Sequence, residues 1–314
     1  MNYTKPQLSV IIPTINREKY LFNTIKDLNN QVLKNVEVII IDQNKKINFT
    51  FYKNLETKFK NLKIVLFYQH INNSSAARNL GVKNARSNIV LFLDDDVKIL
   101  SRFFLKNHLR NYTHKDVQIV AGKILEEGSN SNKKNFFSKY KLFFFKNDWR
   151  LFRLDSSLKV SKYKIGRSAN LSTRKKTYLK LGGMDTNFIK GAHREETDFL
   201  FNAAHKKIKV LFDPCSQVVH LKAKTGGIRN FNKFEKAFLE LYGEIYFNLK
   251  HIFNINILFT LLIIVRKYFF SKLIILKPYI FILNLIIFAS SFMFALKKLF
   301  FSKKKKIFKT KKII

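Results

Sequence analysis

A single cysteine, Cys215, in 314 residues leaves no internal disulfide possible. That excludes a small stapled secreted fold and points to a reducing compartment. Four prolines and ten glycines are too few for a collagen-like chain or a Gly/Pro-rich disordered one. No apolar core follows the opening residues MNYTKPQ, so no export signal is expected. Neither a P-loop nor a GxGxxG after the first apolar run is present, and no Cys/His spacing suggests zinc. Acids are scarce as well: 21 Asp and Glu stand against 59 Lys and Arg, a formal net charge of +38. What is abundant is apolar, at 46% of residues with 33 Phe, and this excludes a disordered basic chain.

The charge is uneven. No acid follows Glu244, whereas 14 Lys or Arg do, nine of them lysines between Lys297 and Lys312. Such a balance favours acidic partners: nucleic acid, anionic lipid or phosphorylated small molecules. The terminal lysines follow the uncharged run YIFILNLIIFASSFMFAL at 279–296, which as a helix reaches about 27 Å, just enough to cross a bilayer core. A shorter apolar run, 252–265, suits the interface or a buried position. Arg266, Lys267, Lys272 and Lys277 separate the two runs. Were both runs to cross, that basic connector would face outward, against the positive-inside tendency. The reading is therefore a catalytic part at 1–245 and a helical, apolar and polybasic membrane-associated tail at 246–314. Monotopic attachment to an anionic surface, on the cytoplasmic face of the cell membrane, is preferred over a spanning helix or an apolar dimer surface.

From residue 8 onward, short β-branched runs alternate with helical patterns. Strands are expected at 8–12, 36–41, 62–68 and 89–93, with helices at 20–33 and 75–85 between them. This alternation predicts parallel βαβ units with a ligand site at the strands' carboxyl ends, where Pro13, Asp42 and Asp94 stand. The stretch 128–161 reads as an excursion. Regular structure resumes at 163–173, then a helix at 174–181 stopped by Gly182-Gly183, a helix at 196–206, strands at 208–212 and 217–220, and an amphipathic helix at 231–247.

Three motifs carry chemistry. Asp94-Asp95-Asp96 follows the uncharged run IVLFL and reads as a solvated acidic turn capping the next helix or as a cation site, since adjacent carboxylates repel unless a cation such as Mg²⁺ or Mn²⁺ binds them. HREETDF (193–199) places acids at a helix start, where they complement the helix dipole or serve as a general base. His220 ends an apolar run before the basic loop LKAKTGGIR and reads as structural, a metal ligand or a phosphate contact.

Together, SVIIPTINR (9–17), VIIID (38–42), SSAARNLGVKNA (74–85), IVLFLDDD (89–96), GRSANLSTRKKTYLKLGGMD (166–185), REETDF (194–199) and VVHLKAKTGG (218–227) resemble an inverting family 2 glycosyltransferase. The resemblance spans residues 8–227, in the family's order. It implies the GT-A fold, an α/β mixed sheet flanked by helices. By that resemblance Pro13, Thr14, Asp42, Gln43, Arg78, Asp94 and Asp95 would bind the nucleotide-sugar donor, a UDP-sugar foremost. Asp96 and His220 would hold Mn²⁺ or Mg²⁺. Glu196 would be the catalytic base, with Glu195 on the acceptor side. The acceptor would be a glycan or lipid-linked hydroxyl in surface polysaccharide assembly. Where the family often has two acids after the second strand, this chain has Asp42-Gln43; the Gln amide can still hydrogen-bond a pyrimidine edge. Three alternatives compete with this reading. Nucleotidyl transfer would not need the EETDF acid, a nucleic-acid binder would not place its densest charge beside an apolar run, and an inactive scaffold would not keep Asp94, Asp96 and Glu196.

Overall fold

Uncharged runs rich in Val, Ile and Leu have no polar face to show water, so they form strands covered on both sides. A computed structural model describes residues 5–60, 62–128, 159–162, 166–191, 193–226, 230–251, 264–266, 268–270, 278–301 and 310–312. Its first half runs β1 (Leu8–Thr14), α1 (Glu18–Asn29), β2 (Val36–Asp42), α2 (Phe49–Lys58), β3 (Lys63–Gln69), α3 (Ser74–Asn84), β4 (Ile89–Leu93), β5 (Val97–Lys98), α4 (Phe104–Arg110) and β6 (Ile119–Glu126). The second half runs β7 (Val160–Lys162), β8 (Asn170–Arg174), α5 (Lys175–Lys180), α6 (Glu195–His205), β9 (Val210–His220), α7 (Lys233–Lys250), α8 (Tyr279–Phe301) and β10 (Thr310–Lys312).

The strands form one mixed sheet in the order β10-β3-β2-β1-β4-β8-β6-β9-β5, with β7 also on β9. The four strands expected from the N-terminal half are mutually parallel, and β8 is antiparallel to both β4 and β6. Every residue of β2 and β4 is buried, as strands sandwiched by helices require. One apolar layer packs α1 and α2 against the sheet; the other packs α3 and α6. Helix α3 begins where the Asn73 side chain accepts the Ala76 N–H at 2.8 Å, one residue earlier than expected.

Two expectations change. The strands expected at 208–212 and 217–220 are one strand, β9. Its register against β6 jumps between Gly122 and Lys123, so that Gly122 faces Asp213 and Lys123 faces Gln217. Pro214 lacks an N–H, which reads in sequence as a break, yet the bulge absorbs it and Asp213 accepts the Cys215 N–H at 3.1 Å. The helix expected at 231–247 starts at Lys233, capped by Asn232, and continues to Lys250. The proposed division at residue 245 thus falls inside α7. Leu241, Tyr242, Ile245 and Phe247 join Phe188, Phe201 and Ala295 in a third apolar cluster that α8 completes. Most of the 128–161 excursion, most of the apolar run 252–265 and the lysines at 303–309 lie outside the described residues, as does Lys267 with 271–277.

Candidate active site

Strand β4 delivers three consecutive carboxylates to the carboxyl edge of the sheet, and each meets a different environment. Asp95 turns inward: its Oδ2 accepts the Thr14 hydroxyl at 2.8 Å and its Oδ1 accepts Arg17 Nη1 at 2.9 Å. Burial pushes its carboxyl up to about 7 although Arg17 opposes it. Both oxygens serve the protein, so Asp95 locks β4 to β1 instead of offering a free carboxylate to a donor. Asp94 stays partly open, with one oxygen 3.0 Å from Arg78 Nη2.

Asp96 is the deepest of the three. Its Oδ2 accepts the Ala223 N–H at 2.9 Å and lies 3.3 Å from Arg17 Nη1. Its Oδ1 is buried, receives no well-directed hydrogen bond, and lies 3.3 Å from His220 Nε2. Burial would raise this carboxyl, but His220 and the Arg17 charge outweigh burial and hold it at about 2. His220 reaches the site because β9 pairs antiparallel with β5, setting His220 against Val97. Burial alone would lower its imidazole pKa, and the Asp96 carboxylate raises it instead. Ligand atoms of Asp94, Asp96 and His220 all lie within 4.8 Å of one another. Two hard carboxylates, one imidazole and an orphaned buried oxygen fit a divalent cation such as Mg²⁺ or Mn²⁺.

The opposite wall of the cleft comes from the ends of β1 and β2 and the start of α3, with Pro13, Thr14, Gln43, Asn72, Ser74 and Arg78 lining it. Gln43 is tied to β1 by its N–H, 3.0 Å from the Thr14 carbonyl. Its Oε1 accepts the Asn73 N–H at 2.8 Å and Gln69 Nε2 at 3.3 Å. A backbone donor settles which end of the amide is oxygen, so the Nε2 group is the end left for a ligand. Asp42 does not belong to this wall. One residue earlier on an extended strand, its side chain points to the other face, buried against the Tyr52 hydroxyl at 2.9 Å and the Asn44 N–H at 2.7 Å. The structure therefore separates Asp42 from the donor set in which the sequence reading placed it.

Arg78 lines the cleft, as expected, and is also held by protein partners. It is buried, with one Nη on Glu195 and the other on Asp94, and its Nε is without a partner. It bridges α6 to β4 rather than projecting a free guanidinium. Glu195 is correspondingly occupied: Oε1 takes Arg78, while Oε2 accepts Ser74 at 2.7 Å and Ser75 at 2.9 Å. Burial raises its pKa against the pull of Arg78. Glu196, the next residue, is half-buried and has no hydrogen bond or ion pair among the described residues. Arg194 starts the helix in a left-handed conformation at φ 82°, anchored by Nε at 2.8 Å from Glu244 of α7.

Four contributors escaped sequence reading. Arg17 clamps Asp95 and Asp96; its only signal was a cation just after β1. Lys190, at φ 49°, and Gly191 close the cleft from a short turn. Asp198 is wholly buried and meets Lys250 Nζ at 2.9 Å and His251 Nε2 at 2.8 Å, tying α6 to α7.

This architecture is shared with solved glycosyltransferases. A mannosyltransferase from Pyrobaculum calidifontis in complex with GDP-Man and Mn²⁺ superposes with a TM-score of 0.57 at 14% identity, over 92% of this chain and 75% of that one. TarS residues 1–349 from S. aureus in complex with UDP-GlcNAc gives 0.54 at 15% identity, over 76% of this chain and 66% of that one. The fold is GT-A. In sequence, the chain is 31% identical over 146 residues to the GalNAc(5)-diNAcBac-PP-undecaprenol beta-1,3-glucosyltransferase of Campylobacter jejuni, covering 42% of this chain and 47% of that protein. The chain spans about half the length, or less, of the curated relatives it matches first. The sequence model described as Glycosyl transferase family 2 matches residues 9–173, more than half of the chain, which therefore belongs to that family.

Proposed function

We propose that the protein transfers a sugar from a nucleotide-sugar donor to an acceptor hydroxyl, with inversion at the anomeric carbon and with a divalent metal. The observation that carries this reading is the buried, unbonded Asp96 Oδ1 beside Asp94 and His220, on the floor of a cleft whose far wall presents Gln43. Asp94, Asp96 and His220 would hold Mn²⁺ or Mg²⁺, which when bound neutralises charge developing on the departing diphosphate. Pro13, Thr14 and Gln43 bind the nucleoside, and the Gln43 amide nitrogen donates to a carbonyl of a pyrimidine such as uracil. Arg78 and Glu195 hold each other and so fix the start of α6. That leaves Glu196 with an uncommitted carboxylate to take the proton from the acceptor hydroxyl. The hydroxyl oxygen forms its bond to the anomeric carbon as the bond to the diphosphate breaks, and the electron pair leaves with the diphosphate. One displacement inverts that carbon. The acceptor is a glycan or lipid-linked hydroxyl in surface polysaccharide assembly at the cytoplasmic face of the membrane; the Campylobacter jejuni relative, by its name, acts on an undecaprenol-linked glycan.

The test is turnover of a panel of nucleotide sugars with Mn²⁺ or Mg²⁺. One donor should be consumed, and Asp96→Asn should abolish metal-stimulated turnover while the fold persists. Full activity after verified metal removal would overturn the metal assignment, and no turnover of any donor would overturn the reaction.

A further inference from the structure

The geometry points to α8 as an in-plane membrane helix, its outward face immersed in an anionic leaflet and its inward face kept on α7, without crossing the bilayer. This deepens the membrane-surface location proposed above.

By length and composition α8 is able to span a bilayer, with 23 residues and a mean hydropathy of 2.2. Its packing argues otherwise. Asn284, Phe288, Ser291, Phe294 and Ala295 recur at three- and four-residue steps and face the protein. Near the middle of α8 the Ser291 hydroxyl lies 3.3 Å from the Phe238 carbonyl of α7, and the Phe294 ring stacks edge-on against Phe238 and Tyr242. The N-terminal half is held by Asn284, whose amide donates to the Tyr268 carbonyl at 2.6 Å. The centre of α8 is therefore laid on the middle of α7, at Phe238 and Tyr242, in the stretch that also carries Glu235, Lys236, Glu240 and Glu244. Glu235 and Glu244 are themselves ion-paired to the catalytic body, through Lys190 at 2.7 Å and Arg194. Placing the middle of α8 at the bilayer midplane would carry those charges and that body into hydrocarbon, which charged groups strongly resist.

Among the described residues, nothing covers the opposite face. Ile282, Leu285, Ile286, Met293 and Phe300 are exposed by 51–72% and form one apolar stripe. A monomer does not leave such a stripe in water without a partner. Charge selects that partner. The chain carries +38 and has no acid after Glu244, while exposed Lys297 borders the stripe, Lys298 lies over the Phe294 ring, and further lysines follow in sequence. A second copy would bring like charge to the contact, whereas an anionic leaflet supplies both the apolar medium and the countercharge. The same α7 that carries α8 also holds Arg194, next to Glu195 and Glu196. Membrane contact on one side of α7 thus puts the proposed acceptor side within a helix or two of the lipid surface.

The experiment uses the full chain with vesicles of phosphatidylcholine alone or mixed with phosphatidylglycerol. In a Cys215→Ser background, cysteines placed at Ile282, Met293 and Phe300 carry an environment-sensitive fluorophore, read with quenchers in the headgroup and in the chain centre. In-plane binding predicts equal, shallow quenching at all three positions, and release of unlabelled protein by high salt with alkaline carbonate. Ile286→Glu with Met293→Glu, checked for retained helicity by circular dichroism, should weaken binding to mixed vesicles by roughly tenfold or more. Graded depth with Met293 deepest, or resistance to extraction, would establish a spanning helix and overturn the inference. A salt-stable dimer that shields the three labels without vesicles would overturn it too. Absence of vesicle binding in a protein that still turns over a nucleotide sugar would sink this inference alone, and shallow binding without turnover would sink the catalytic reading alone.

Discussion

Adjacent glutamates at the start of α6 should give opposite phenotypes when each is made neutral. Glu195→Gln keeps the shape of the side chain but removes the charge that faces the buried Arg78. Breaking a buried ion pair typically costs about 3–5 kcal/mol. Here Arg78 keeps Asp94 at 3.0 Å, and a Gln oxygen can still accept from Ser74 or Ser75, so the expected loss is at the low end, about 3 kcal/mol. At about 2–4 °C per kcal/mol for a domain of this size, the thermal midpoint should fall by roughly 6–12 °C. Glu196→Gln removes no contact and should leave the midpoint nearly unchanged, within about 0.5 kcal/mol. Its transfer rate should nevertheless fall by roughly 10²-fold or more, with nucleotide affinity retained. Scanning fluorimetry and single-turnover transfer on the same preparations supply both readouts. If Glu195→Gln melts with the wild type, or Glu196→Gln transfers at the wild-type rate, the division of labour between the two acids is wrong.

His108 and Gln43 yield two further expectations. The His108 ring is wholly buried between Ser172 and Asn170, and burial holds its pKa down at about 4, well below the ordinary value near 6.5. Below about pH 6.5 the unfolded chain takes up a proton that the folded chain refuses, so stability falls with pH through that window. His108 contributes a fall of about 2 kcal/mol between pH 7 and pH 5, opposed over the same window by the raised Asp95 carboxyl, so the readout is the difference in urea-titration slope between wild type and His108→Gln, and an unchanged slope refutes the assignment. Gln43→Glu keeps an acceptor for the Asn73 N–H but replaces the amide donor by a second acceptor. A carboxylate oxygen would then face the uracil O4 carbonyl, whereas the cytosine N4 amine could donate to it, so the ratio of UDP to CDP affinity should shift by about tenfold toward CDP. An unchanged ratio in calorimetry would mean that Gln43 does not meet the base.

Strands β1 to β4 were legible because a β-branched run with few charges has one stable use in a basic, acid-poor chain. The aspartates stood out for the same reason, since three of 21 acids sit consecutively at a strand end. Orientation was the harder matter. Asp42 and Gln43 are adjacent in sequence, yet the strand's alternation turns one into the core and the other to the cleft. Arg78 lines the cleft, but its partners on either side, Asp94 and Glu195, cannot be read from sequence. Pro214 reads as a strand break because sequence does not reveal a bulge. Hydropathy along 279–296 measures how apolar a helix is, but only its contacts with α7 tell which way it lies.

The link between Asp198 and the end of α7 decides where this protein can be cut. Asp198 is fully buried and takes Lys250 on one oxygen and His251 on the other, while Lys250 also holds Asp185 at 2.7 Å. A soluble fragment ending at Ile245 would delete both partners and strand a carboxylate inside the helix that carries Glu195 and Glu196. A fragment ending after His251 keeps the pair and still removes α8. The electrostatic closure at Lys250 and His251, more than fifty residues downstream of the acids it supports, thus sets the earliest point at which the chain can be shortened, well beyond Ile245.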